Sequence, residues 1–413
     1  FRYLQYIKGS ESSEMGVWMT GRWIILIVFC LGCMPLYVLA EKQTLYYAGF
    51  AYLADCDEVA DRYKYANKAI GKENGCGPAD FVEAPYAKTL SEINSSSSSV
   101  NLTVNLGDSQ SGDAISLAIG LDGENVSVYQ LRDRYVVHYD LTAQILTFDF
   151  TNKEIVGAYP VFIRFGDLLD EPPTEEQRVA VFKKMLLDQD FGANLIDEFV
   201  RVAKNIRPQQ RGSLYFKVGD VNLAPRALEY LDSQNKNPEV YKTWVAQAFS
   251  KAFSSRLNMP VLPYTKGQAI GAKMALQFSD GLASNFDVPP ASYLAEITIR
   301  GMIKKTLGEN DYLRKLSYII GLGLKFEQPD MNEVYLSQNF QKGRVRDISK
   351  EQGEPNSWAE FEESLSVLFD QVAEQVEKKE KKWIKDHTPK NANVKSARKE
   401  LDAFYKKVVD LSR

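Results

Sequence analysis

Histidine is nearly absent from this chain: only His138 and His387 occur among 413 residues. A zinc centre of several imidazoles is therefore excluded within one copy, and a Ser-His-Asp relay has almost no choice of base. Cysteine is scarce too. Of the four, Cys30 and Cys33 lie in an apolar stretch near the start. Cys56 and Cys76 each lack a Cys-x-x-Cys partner, which argues against a zinc or redox motif. No glycine-rich phosphate loop opens a helix. Gly321 and Gly323 alternate within Ile320-Gly321-Leu322-Gly323-Leu324-Lys325, where a strand runs on, so no cofactor is expected. After residue 40 no apolar run approaches the roughly 20 residues of a membrane-spanning helix.

What is present begins at Arg22. An apolar run follows it and ends in Val38-Leu39-Ala40 before the polar Glu41. A cation, an apolar core and a small-residue end make the pattern of a secretory signal. The sequence predicts an exported protein, periplasmic or associated with the cell surface, with residues 1–40 as the signal and what precedes it. Retention as a membrane anchor stays open, because the run is close to a bilayer span. So does lipidation: Leu31-Gly32-Cys33 resembles part of a bacterial lipoprotein box, although Cys30 stands where Leu is usual. In an exported protein, Cys56 and Cys76 read as a disulfide. Closing about 20 residues, it stabilises by roughly 3 kcal/mol in the chain-entropy model. Two free thiols are the alternative.

Charge is unevenly spread. Residues 377–413 carry twelve Lys/Arg against six Asp/Glu, whereas residues 41–376 carry an excess of eleven acidic groups. An acidic body lacks the clustered cations that phosphate contacts need, so no nucleic-acid partner is expected. The basic tail suits either a solvated helix face or contact with an anionic membrane or cell-wall surface.

Residues 41–170 read as a β-rich domain. An aromatic strand over 45–54 precedes a five-serine run at 95–99. Period-2 alternation then predicts an antiparallel meander of roughly five strands between residues 100 and 165, with Asp122-Gly123 as a hairpin turn. Residues 171–210 form a helical connector, opened by the capping box Thr174-Glu175-Glu176-Gln177. Residues 211–376 read as an α/β domain: a strand over 214–221, a helix capped by Asn237-Pro238, strands at 273–278, 293–303, 318–326 and 334–340, and a helix from the box Ser357-Trp358-Ala359-Glu360. Residues 377–413 form a basic helical tail. The fold class expected is α+β: an antiparallel β-rich domain, then an α/β sandwich domain and the tail. No repeat of fixed period is evident.

Few residues suggest chemistry. Gly107-Asp108-Ser109 is similar to the opening of the GDSL esterase family, but that family also needs Asp-x-x-His, and Ile384 stands three residues before His387. Asp55, Asp57, Glu58 and Asp61 form an acidic cluster without the EF-hand spacing for calcium. Carboxylates such as Asp122 and Glu124 could serve as a glycosidase pair, but many acidic pairs would do as well. Asn94, Asn101 and Asn125 head glycosylation sequons.

From residue 213 to about 376 the element order is strand, long helix, strand, long strand, hairpin, helix. With the export signal, this order resembles bacterial envelope-assembly proteins of the curli-secretion lipoprotein type. The resemblance implies a sandwich that binds other envelope proteins, and it transfers no site residue. The expectation is an exported, non-catalytic envelope protein with a binding or assembly role. A secreted carboxylate-dependent hydrolase acting on glycans is the alternative. The two differ in what they need: the hydrolase requires a cleft holding two acids about 5–10 Å apart.

Overall fold

The computed structural model describes residues 42–410 apart from 74, 98, 106–114, 132, 208–213, 265–271 and 351–356, and without the side chains of 131, 272 and 273. The expected export segment, with Cys30 and Cys33, lies outside the described residues, as does Gly107-Asp108-Ser109. Lys42–Arg413 forms one compact unit. Its class is α+β, with two sheets and helices packed on both.

The first half runs β1 (Gln43–Tyr52), α1 (Val59–Arg62), α2 (Lys64–Ile70), α3 (Glu83–Ala87), α4 (Leu90–Ser96), β2 (Val100–Thr103), β3 (Ile115–Leu131), β4 (Arg134–Asp149), β5 (Glu154–Leu169), α5 (Glu175–Leu187) and α6 (Leu195–Asn205). The second runs β6 (Phe216–Leu223), α7 (Pro225–Ser233), α8 (Pro238–Leu257), β7 (Val261–Leu262), β8 (Ala272–Phe278), β9 (Ala283–Val288), β10 (Tyr293–Glu309), β11 (Leu313–Gln328), β12 (Glu333–Ser349), α9 (Ser357–Lys378), α10 (Lys381–His387) and α11 (Val394–Phe404).

The two halves repeat one topology. In the first, β1 lies parallel to both β2 and β3, and β3, β4 and β5 form an antiparallel meander. In the second, β6 lies parallel to both β7 and β10, and β10, β11 and β12 form the meander. Even a bulge recurs. Leu121 faces the last residue of β1 and the register then skips Asp122; Ile299 faces the last residue of β6 and the register skips Arg300. No fixed sequence period betrays this duplication, because the residues at matching positions differ in chemistry.

Asp122-Gly123 is thus a β-bulge inside a continuous 17-residue strand, not the expected hairpin turn. An extra residue bends a strand without reversing it. The chain reverses between Leu131 and Arg134 instead. The helix caps at Thr174, Asn194 and Asn237 form as their residue types dictate. The box expected at Ser357 does not: Ser357 is already helical, and the Glu360 carboxylate pairs with Arg344 (3.4 Å) and Arg346 (2.9 Å) of β12. A charge-assisted bond from Arg346, with the Arg344 charge beside it, outcompetes one backbone N–H.

Strands β8 and β9, from the second half of the sequence, belong to the first sheet, so the sheets do not follow a division of the chain at residue 211. Antiparallel to each other, they bridge β5, through Glu154 opposite Asp287, and β1, through Ala51 opposite Phe278. Six strands thereby close into a ring. Phe148 sits within it against Phe278 and Phe286, ring centroids 6.4 and 4.5 Å away. A second core joins α2–α6 to the first sheet. The third lies between the second sheet and α8, α9 and α11, where Phe216, Phe249, Phe253, Phe326 and Phe404 pack together. The basic tail therefore buries an apolar face: Ile384, Ala397, Leu401 and Phe404 are fully enclosed. Its cations occupy the opposite face.

Candidate functional site

A cleft of about 570 Å³ opens where the outer ends of β3–β5 meet the first turns of α8 and α9. The bulge sets its position. By inserting Asp122, it turns β3 so that Asn125 and Ser127 join Asp140 of β4 on the face toward the helices. From α8 come Tyr241, Thr243, Trp244 and Gln247, and from α9 come Trp358 and Glu362. Tyr241 lies parallel to Trp244 (5.6 Å, 14°) and edge-on to Trp358 (5.0 Å, 60°). The Lys236 ammonium stands 5.2 Å from the Trp358 ring centre, a cation–π distance.

Four carboxylates line the cleft, and three are fully engaged. Asp122 accepts from Arg62 (2.8 Å), Gln144 (3.2 Å) and Gln247 (3.2 Å). Glu124 accepts from the backbone N–H groups of Tyr65 (2.6 Å) and Ala66 (2.7 Å), which open α2. It caps that helix from a neighbouring strand. Burial nevertheless pushes its carboxyl up to about 6, with the two N–H groups pulling the other way. Asp140 receives Arg164 in a two-pronged pair, at 2.5 and 2.8 Å.

Glu362 differs. Its carboxylate stands 3.7 Å from the Arg164 guanidinium. Burial pushes its carboxyl up to about 7, and the Arg164 guanidinium offsets only part of that rise. One guanidinium on β5 thus faces two carboxylates, one from β4 and one from α9. Burial and the charge on Glu362 both raise the Tyr241 hydroxyl well above the ordinary range. Lys251, one turn deeper on α8, donates to the Phe162 carbonyl (2.8 Å), and burial lowers its ammonium.

Of the residues singled out from sequence, Asp122 and Glu124 do reach the cleft, as an ion-pair acceptor and a helix cap. Cys56 and Cys76 are joined as a disulfide, with Cα atoms 5.1 Å apart, tying the α1 turn to the loop before α3. Asp55, Asp57, Glu58 and Asp61 lie exposed in that turn, and among the described residues no three carboxylate, thiol or imidazole groups gather around a metal position. His138 is half-buried on β4 beside Tyr129, and His387 stacks on Trp383 (4.2 Å, 9°) in the other half. Asn94 spends its amide clamping both backbone groups of Leu102. Arg164, Trp244, Trp358 and Glu362 were not legible as site residues. Helical spacing puts both tryptophans on core-facing stripes, and nothing local says that the stripe ends at a cleft.

No family model matches this chain, and no curated protein matches it. Among solved structures it is similar to an "Ntf2 like protein involved in plasmid conjugation", at 9% identity over 58% of this chain and 79% of that one, with a TM-score of 0.10. A TM-score that low carries no argument about fold or function.

Proposed function

We propose that this chain is an exported, non-catalytic binding protein of the cell envelope, and that its cleft receives a neutral, hydroxyl-rich ligand such as an envelope glycan. The saturation of three of the four cleft carboxylates carries this reading. Asp122, Glu124 and Asp140 are each committed to protein donors, which suits holding a shape more than exchanging protons with a substrate. The cleft volume lies in the ordinary range for small-ligand sites, roughly 300–1,000 Å³. Its aromatic residues suit stacking on a sugar ring. The nearly balanced charges of Asp122, Glu124, Asp140 and Glu362 against Arg62, Arg164 and Lys236 favour a neutral guest. The disulfide suits an oxidising compartment.

Two of the five tryptophans line the cleft, so intrinsic fluorescence reads its occupancy. Soluble oligosaccharides from envelope polymers should shift the emission in a saturable way, and Trp244→Ala should abolish the shift. A flat response across glycans, with no thermal stabilisation, would remove the proposal. One observation favours a second reading, a carboxylate-dependent hydrolase: the raised carboxyl of Glu362 suits a general acid. Glycan turnover lost in Glu362→Gln would replace binding by hydrolysis.

A further inference from the structure

The ring of strands closes through short seams. β5 meets β9 at Glu154–Asp287, and β1 meets β8 at two residue pairs, Ala51–Phe278 and Tyr52–Gln277. By contrast, β8 and β9 share six pairs. So short an antiparallel contact is marginal by itself, and the β1–β8 seam is held from the side. Glu83 of α3 receives the hydroxyl of Ser279, just past β8. The same carboxylate receives the Phe50 N–H (2.9 Å) and the Tyr47 hydroxyl (3.2 Å) of β1.

A further tie runs through sulfur. Cys56 lies shortly after the end of β1, and Cys76, bonded to it, places its Sγ 3.6 Å from Gln277 Oε1. Gln277 is the partner of Tyr52 in the seam. A disulfide sulfur carries no proton, so this is a packing contact. Gly77 lies flat against the end of β8: a Cβ there would stand 2.4 Å from the Phe278 carbonyl oxygen, closer than a Cβ packs. The Lys72 ammonium donates to the Ser279 carbonyl and stands 3.2 Å from the Asp80 carboxylate. Lys72, Cys76 and Gly77 thus cap β8 from outside, and the sulfur bridge anchors them to the chain leaving β1. The bridge is also within reach of solvent, since Cys56 is exposed and Cys76 half-buried.

We infer that Cys56–Cys76 is a thiol-exchange site whose reduction releases the β1–β8 seam. The co-reactant is a dithiol. One of its thiolates attacks the exposed Cys56 sulfur, forms a mixed disulfide there and expels Cys76 as a thiolate, which takes up a proton. The second thiol of the reagent loses its proton and attacks the first. Cys56 leaves as a thiolate and is protonated in turn, and the dithiol departs oxidised by two electrons. Lys72 and Gly77 then keep local backbone anchors: Lys72 N–H to the Gly77 carbonyl (3.1 Å), and nearby Ala79 N–H to the Ile70 carbonyl (2.6 Å). The Glu83 tie survives, so the seam opens locally while the rest of the fold stands. None of this depends on what the cleft binds.

Hydrogen exchange of the folded protein, oxidised and then held in dithiothreitol, tests it. Reduction should speed exchange by about tenfold over residues 274–288 and 50–52, with little dependence on added urea, the mark of local opening. Strands β10–β12 should respond only through global unfolding, with a steep urea dependence. Gly77→Ala, with the sulfur bridge intact, should open the same residues, because its Cβ meets the Phe278 carbonyl. Dithiothreitol should then add little, since both changes act through one contact. Unchanged exchange over 274–288 on reduction overturns the inference, because the bond would then act on the unfolded chain alone. So does acceleration equal in both sheets with one urea dependence. A bond that dithiothreitol fails to open in the folded protein overturns it too, as does full additivity of reduction and Gly77→Ala.

Discussion

Arg164 and Glu362 approach to 3.7 Å across the join between the first sheet and α9, and the same guanidinium grips Asp140 at 2.5 and 2.8 Å. The pairing ties the two halves at the cleft. Asp140 is 5% exposed, so little water can replace this partner at its carboxylate. Arg164→Ala should cost on the order of 3 kcal/mol, because removing one member strands a buried charge. Urea denaturation of the variant reads it. A loss below about 1 kcal/mol would mean that water or Asn125 already satisfies the carboxylate.

Glu362 makes stability depend on pH. Its folded carboxyl sits near 7, above the ordinary value near 4.5, so the folded state holds the proton more tightly than the unfolded state. Its contribution is therefore favourable at low pH and is lost as pH rises from about 4.5 to about 7. Glu124 acts in the same direction up to about 6. Glu362→Gln should be more stable than the unaltered protein at pH 8 and lose that advantage near pH 4.5. Parallel stability curves for the two proteins would show that Glu362 titrates normally.

Glu124→Ala should unfasten the start of α2, where the carboxylate receives two backbone N–H groups. The expected loss is about 1–2 kcal/mol, the range for removing a helix cap. Hydrogen exchange should locate it, with faster exchange at Tyr65 and Ala66 and little change at α8.

Replacing both Cys56 and Cys76 by Ser should lower stability by roughly 3 kcal/mol, since the bond closes a short loop. Reductant should destabilise the unaltered protein similarly and leave the double variant unmoved.

Phe148→Ala should cost about 3–5 kcal/mol, the range for emptying an aromatic core position. Its ring meets Phe278 and Phe286 on the strands that close the first sheet. Global denaturation measures the loss, and proteolysis should then cut first between Ala272 and Val288.

Local rules carried much of the fold. The caps at Thr174, Asn194 and Asn237 depend on neighbours a few residues away, and they form where those neighbours say. Longer-range relations were not legible. Asp122-Gly123 has turn chemistry, yet the sheet pairs Leu121 and Gly123 in one strand, and pairing across β4 decides that. The ring closure by β8 and β9 joins Ala51 to Phe278, a contact that no window of sequence contains. The cleft is the extreme case. Its floor comes from β3 and β4 and its wall from α8 and α9, so Asp140 and Glu362 meet only through the tertiary fold. The duplication was hidden for the same reason: Asp140 and Ile319 hold the same place in their sheets with opposite chemistry.

The ring of strands also has a consequence for synthesis. A nascent chain that has emerged only as far as Arg207 holds every helix of its first half, but Ala51, Tyr52 and Glu154 each still lack the second of their two lateral partners. Those partners leave the ribosome with residues 272–288, after α8 has been made. The N-terminal half is thus translated first and completed late, and its last backbone bonds form only when the growing chain has doubled back to it.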